Sequence, residues 1–161
     1  MAKITLLVRK LKNSWRLDQS VASPIRFQTG TAFQWNHLER CITYDPTDSE
    51  VVAFLLHEAG HAWLNHGKYT NSIELLEMER DAWEWARKNS SHYGITIDPD
   101  TIDQSVDTYR DWLHARSLCP RCNATGVETA RQFTYVCIAC SHQWRVNEAR
   151  NCHLRRYSPN K

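Results

Sequence analysis

The sequence contains no run of eighteen apolar residues, which excludes a membrane-spanning helix. After Met1-Ala2-Lys3-Ile4 it also lacks an apolar stretch of the length a secretory signal needs, so the expected compartment is reducing and the expected location cytoplasmic. There is no internal repeat, which excludes a solenoid, and no low-complexity segment beyond the polar end Ser158-Pro159-Asn160-Lys161. With 161 residues there is room for one small domain plus an appendage and little else. A net charge of +2 is too small to mark the whole chain as a polyanion binder, but it hides an asymmetry. Residues 1–115 carry 12 basic and 16 acidic side chains, and residues 116–161 carry 8 and 2.

What is present begins with His57-Glu58-Ala59-Gly60-His61, an H-E-x-x-H pattern approached by the apolar run Val51-Val52-Ala53-Phe54-Leu55-Leu56. The run reads as a helix that continues through Ala62, Trp63 and Leu64. Thr47 with Glu50 three residues later forms a capping-box pattern at its start, and Gly67 after His66 marks its expected stop. Residues four apart share a helix face, so His57 and His61 can bind one zinc ion, and Glu58 then projects beside it as a base for water. Two ordinary histidines on a core helix are the plain alternative.

Catalytic zinc takes a third protein ligand and leaves a position open. The segment Ile73–Ala86 is strongly helical, with Leu75, Leu76, Ala82, Trp83 and Ala86 able to form one apolar stripe. Glu77 and Asp81 lie four apart on it. Glu77 is the expected third ligand, and Asp81 the expected acceptor for the free N–H of a ligating imidazole. Glu74, Glu79 and Glu84 read as a solvated face.

His57, Glu58, His61, Glu77 and Asp81 together resemble the gluzincin pattern, H-E-x-x-H followed by a helix bearing E-x-x-x-D. The compact form across roughly residues 40–90 is similar to the ImmA/IrrE-type metallopeptidases, small intracellular proteins of bacteria and their mobile elements. The Trp-rich second helix and the absence of a helix-turn-helix signal depart from that family. Metzincins would need Gly at 64 and His at 67, where this chain has Leu64 and Gly67. SprT-like proteases share the order of motif then zinc ribbon, but place a histidine third ligand further on. His66 sits five residues past His61, about 140° around the same helix, and reaches that metal only if the helix has already ended.

Cys119-Pro-Arg-Cys122 and Cys137-Ile-Ala-Cys140 are two C-x-x-C knuckles separated by fourteen residues, the spacing of a zinc ribbon. Arg131 to Val136 alternates polar and apolar as a strand leading into the second knuckle should, and His142-Gln143-Trp144 is the expected return strand. A disulfide pairing is the rival, disfavoured in a reducing compartment. Cys41 and Cys152 remain, one read as a core thiol and one as a tail thiol. Arg145, Arg150, Arg155 and Arg156 follow the second knuckle, near Trp144 and Tyr157. Such a basic stretch with aromatics can bind DNA or RNA, dock a protein, or simply be a solvated tail.

The remaining elements are an expected first strand over Ile4–Val8, strands near Ile25–Phe27 and Thr31–Trp35, and another over Arg40–Tyr44. In zincins an edge strand beside the metal holds extended substrate, and by that resemblance Arg40–Tyr44 is the candidate. A third helix begins at Asp98-Pro99, with Ile102, Val106, Tyr109, Trp112 and Leu113 on its apolar face. Trp63, Trp83, Trp85 and Trp112 read as packing. The expected fold class is thus α+β. It comprises a small zincin-like core over 1–116 (a short antiparallel or mixed sheet, an active-site helix and a ligand helix), a zinc ribbon over 117–146, and a basic tail over 147–161. The expected cofactors are two zinc ions, one catalytic and one structural. The expected function is zinc-dependent hydrolysis of peptide bonds in an intracellular protein target, with no membrane partner. The alternative is a weakly catalytic or non-catalytic regulator that binds nucleic acid or protein.

Overall fold

A computed structural model describes residues 2–17, 24–148 and 153–157. The described residues form an α+β arrangement of four helices and two small sheets. In chain order these are α1 (Ala2–Leu17), β1 (Arg26–Thr29), β2 (Gln34–Asn36), β3 (Cys41–Tyr44), α2 (Val51–Trp63), α3 (Ser72–Tyr93), α4 (Pro99–Ser117), β4 (Gly126–Glu128), β5 (Thr134–Cys137), β6 (Gln143–Val146) and β7 (Arg156–Tyr157). The chain divides into two compact units. The first comprises Met1–Lys68 and Met78–Ile102, the second Tyr69–Glu77 and Asp103–Lys161. The division therefore runs through α3 and α4. No described helix is long and apolar enough to cross a membrane.

The first unit starts with a helix where alternation suggests a strand. Ile4, Leu7, Leu11 and Trp15 are buried while Leu6 is exposed, so the operative spacing is three and four residues, that of a helix stripe. Alternation over Ile4, Leu6 and Val8 was too short a window to separate the two periods. Trp15 carries α1 into an aromatic core, with ring centroids 5.8 Å from Phe27 and 6.0 Å from Trp63, and Trp63 in turn lies 5.7 Å from Trp85. Leu11, Leu55 and Leu56 are fully buried, and each such side chain contributes about 1.5–3 kcal/mol.

The three-stranded sheet has the order β1-β3-β2, with β1 parallel and β2 antiparallel to β3. Residues Cys41–Tyr44 therefore form the central strand, with Cys41 and Ile42 buried. They are not the edge, and β2 is the edge strand that lies against α2. Cys41 is the core thiol anticipated from the sequence.

Helix α2 begins at Val51 without the anticipated capping box. Thr47 bonds back to the Asp45 carboxylate through its amide and hydroxyl, at 2.8 and 2.6 Å, and Glu50 at the N-cap makes no side-chain cap. The Glu50 carboxylate instead accepts from the Thr101 hydroxyl at 2.8 Å. The end of α2 also differs. Asn65 takes φ 55°, the His66 amide bonds the His61 carbonyl at 2.9 Å, and the Asn65 amide bonds the Ala62 carbonyl at 3.3 Å. This is a Schellman closure with Asn65 at the left-handed position. The helix stops ahead of Gly67, and residue 66 folds back over residue 61. Asp98 opens α4 by accepting from the Asp100 amide at 3.0 Å. Of the apolar face anticipated there, Val106 alone is buried, while Ile102, Tyr109, Trp112 and Leu113 are half-buried.

The second unit contains the four-stranded antiparallel sheet β4-β5-β6-β7. Its core is Cys119, Tyr135, Cys137, Trp144 and Val146, with Tyr135 and Trp144 stacked at 5.6 Å. Arg116 is fully buried, its guanidinium 4.1 Å from the Trp112 ring and 4.5 Å from the Phe133 ring, and it donates to the Glu148 carbonyl at 3.1 Å. Residues 156–157, placed in a tail by sequence, add a strand to this sheet. Arg150 and Cys152 lie outside the described residues.

Candidate metal centres

Helix α2 sets His57 and His61 one turn apart, both buried, with Nε2 atoms 3.1 Å apart. Their partner from α3 is Glu79, whose Oε2 lies 3.1 Å from His57 Nε2 and 3.5 Å from His61 Nε2. An ion about 2.0–2.1 Å from such donors separates them by about 3.3–3.4 Å in a tetrahedron. The three separations are close to edges of that size, so the residues fit three corners of a tetrahedral divalent metal site. The anticipated third ligand, Glu77, is exposed, and so is Asp81, whose carboxylate pairs with Arg80 at 3.1 Å.

The correction has a geometric cause. At 100° per residue, Glu79 falls about 40° from Leu75, inside the stripe that Ala82, Trp83 and Ala86 continue, whereas Glu77 falls about 200° away. Leu75, Glu79, Ala82, Trp83 and Ala86 are all buried. A carboxylate embedded in an apolar stripe is the sequence signal that sets Glu79 apart from Glu74 and Glu84. Burial alone would raise the Glu79 carboxyl, but hydrogen bonds from His57 and His61 and their charge outweigh it, and its pKa falls well below the usual carboxylate range.

Gly60 is what lets α3 come this close. A Cβ there would lie 2.6 Å from the Ala82 carbonyl oxygen and 3.1 Å from its Cα. Trp83 lies over His57, with ring centroids 4.3 Å apart. The Nδ1 atom of His57 is buried with no hydrogen-bond partner among the described residues. His61 differs: its Nδ1 lies 2.9 Å from Nδ1 of His66. His66 thus occupies the position expected of Asp81. It reaches there because α2 has already ended. Burial first, then the charge of His61, push His66 down to about 4, against an opposing pull from Asp81.

Glu58 is buried next to this triangle. Burial raises its carboxyl pKa above the ordinary value, opposed by the charges of His57 and His61 and by a hydrogen bond from the Trp35 backbone. The edge strand β2 thus touches the candidate base, and the Trp35 indole also donates to the His66 carbonyl at 2.8 Å.

Cys119, Cys122, Cys137 and Cys140 form the second donor set, a cluster compatible with a zinc ribbon. Their Sγ atoms lie 3.7 Å apart for Cys119 and Cys140, 3.5 Å for Cys122 and Cys137, and 3.5 Å for Cys122 and Cys140. Tetrahedral thiolates about 2.3 Å from zinc stand about 3.8 Å apart, whereas a disulfide would need about 2.05 Å. The two knuckles repeat one local geometry. Asn123 and Ser141, each following the second cysteine of its pair, take φ 61° and 57°, and their amides bond the Cys119 and Cys137 carbonyls at 2.9 Å. Four donors close the site, so it is suited to structure and offers no open position.

Arg145, Arg155 and Arg156 are exposed, with Arg145 directly across from the exposed Tyr157 in the β6–β7 pairing. Arg156 is already engaged, donating to the Ala115 carbonyl at 2.5 Å. Comparison with protein-family models, with curated proteins and with solved structures finds no match to this chain.

Proposed function

We propose that the chain is a zinc-dependent metallopeptidase of the gluzincin type, ImmA/IrrE-like in its compact motif, that hydrolyses peptide bonds in a protein target. The observation that carries the reading is the buried triangle of His57, His61 and Glu79 with buried Glu58 beside it. A purely structural site has no use for a base next to an open position. Zinc held there would supply a Lewis acid for the scissile carbonyl and would acidify water. The rest falls to the chain's own residues. Glu58, its pKa raised by burial, takes a proton from the attacking water and returns it to the leaving amine. Glu79 completes the ligand set. Edge strand β2 is available to pair with an extended peptide by strand addition. The Cys119–Cys122–Cys137–Cys140 centre holds the ribbon, whose five-residue buried core is small for independent stability.

The test is metal content against turnover. Purified protein is expected to hold two zinc ions and to cleave an unfolded protein substrate in a chelator-sensitive, zinc-restored manner. Glu79→Gln should remove one ion and the activity, Glu77→Gln neither, and Cys119→Ala with Cys122→Ala the other ion. A single ion in unchelated wild type, or full occupancy in Glu79→Gln, overturns the assignment.

A binding contribution from the ribbon rests on a separate observation, the exposed Arg145 and exposed Tyr157 at facing positions of β6 and β7 in a segment rich in basic residues. We propose DNA or RNA as its partner. Replacing Arg145 and Arg155 together by Gln is expected to flatten the salt dependence of binding by about one log–log unit per lost phosphate contact. Binding that is absent at low salt, in a filter or anisotropy assay, excludes the nucleic-acid role. Tight binding with no turnover in any condition favours the regulator over the peptidase.

A further inference from the structure

Two histidines of one ligand pair meet different surroundings, and the difference has a chemical meaning. His57 lies under the Trp83 ring, and its Nδ1 has no hydrogen-bond partner among the described residues. His61 presents Nδ1 to another imidazole nitrogen, Nδ1 of His66, at 2.9 Å. Two nitrogens at that distance share one hydrogen, so one donates and the other accepts. The Nε2 atom of His61 faces His57 Nε2 and Glu79 Oε2, on the side where a metal would sit. A neutral imidazole that offers the Nε2 lone pair carries its hydrogen on Nδ1.

We propose that His66 is the positioning residue of this centre, its Nδ1 accepting the Nδ1–H of His61 and so fixing the tautomer and ring plane that turn Nε2 toward the metal. The inference rests on the metal reading above and not on hydrolysis. Three features of the chain hold His66 in place for this role. The Schellman closure through Asn65 stacks residue 66 over residue 61, with the His66 amide bonded to the His61 carbonyl at 2.9 Å. The Trp35 indole donates to the His66 carbonyl at 2.8 Å, anchoring the turn to the edge strand. The two rings stand close to perpendicular, 71° apart with centroids at 4.9 Å. The main-chain anchors survive replacement of the side chain, so a His66 variant should keep the turn.

In the outer shell of many metal sites a carboxylate takes this hydrogen and raises the basicity of the ligand. A neutral imidazole accepts it without bringing a negative charge toward the ion. The centre then carries only the charge of Glu79 among its three ligands, which leaves the metal the stronger Lewis acid.

The experiment uses the full chain and zinc alone, with affinity read by competition against a chromophoric chelator. His66→Ala is expected to weaken binding at the His57–His61–Glu79 centre about 10- to 100-fold and to leave the cysteine centre unchanged. His66→Gln, whose amide oxygen can accept the same hydrogen, should recover part of the loss. In zinc-loaded wild type, ¹⁵N spectra of the histidine rings should show His61 protonated and His66 unprotonated at Nδ1, with a through-hydrogen-bond coupling between the two nitrogens, a signature that a His66 merely packed there would not give. The inference is overturned by a folded His66→Ala of unchanged affinity, or by His61 ligating through Nδ1. Should His66→Ala not fold, the coupling between the His61 and His66 Nδ1 atoms in wild type decides, and its absence overturns the inference. A chain that takes up no zinc at His57 and His61 overturns the metal reading itself.

Discussion

Glu58→Gln is expected to retain both zinc ions and the fold while lowering peptide hydrolysis by about 10²- to 10⁴-fold, the range over which a positioned acid–base group acts. The substitution is nearly isosteric, and the amide oxygen can still accept from the Trp35 backbone. What it removes is the ability to take a proton. Because the carboxylate is buried, replacing it by a neutral amide also removes a desolvation cost, so stability should hold or rise. Metal analysis together with single-turnover kinetics separates this from misfolding. A glutamine variant with more than a tenth of wild-type turnover would remove Glu58 from the chemistry.

Gly60→Val is expected to act through the distance between helices. The methyl of even Gly60→Ala would meet the Ala82 carbonyl oxygen at 2.6 Å, against backbone that cannot rotate away. Overpacking of this kind costs about 1–3 kcal/mol, more than the gain of about 1 kcal/mol from replacing a helical glycine by alanine. A branched valine should exceed it. Relief requires α3 to move outward, and Glu79, three residues before Ala82, moves with it. The triangle would open while His57 and His61 stay on α2. Zinc affinity at that centre should then fall by at least the ~10-fold that attends loss of a supporting contact, with the cysteine centre unaffected. Denaturant titration of the zinc-loaded protein and chelator competition read the two effects. Wild-type values for both in Gly60→Ala would show that the close approach has no role in placing Glu79.

The parts of this molecule legible in the sequence are those where a short spacing alone fixes geometry. Two histidines four apart on an apolar helix share a face, and two C-x-x-C knuckles converge because each turn brings its own pair together. What spacing could not supply was which carboxylate of α3 faces inward. Choosing Glu77 followed the separation from Asp81, whereas burial follows the phase of the whole stripe from Leu75 to Ala86, which places Glu79 inside. The first helix is hidden in the sequence for a related reason. Leu6 and Val8 extend an alternation, but the residues that matter are Leu11 and Trp15, beyond the window in which alternation was read. His66 depended on the end of α2, and that end was set by a left-handed asparagine and not by the nearby glycine.

A strand with an unpaired side is also a template on which any other chain can assemble. Here β2 is only three residues long, Gln34–Asn36, and its central residue already lends backbone to Glu58. Short edge strands are one way proteins avoid sheet-to-sheet aggregation. Three residues, one of them engaged with Glu58, offer too little free backbone for a second molecule to continue the sheet.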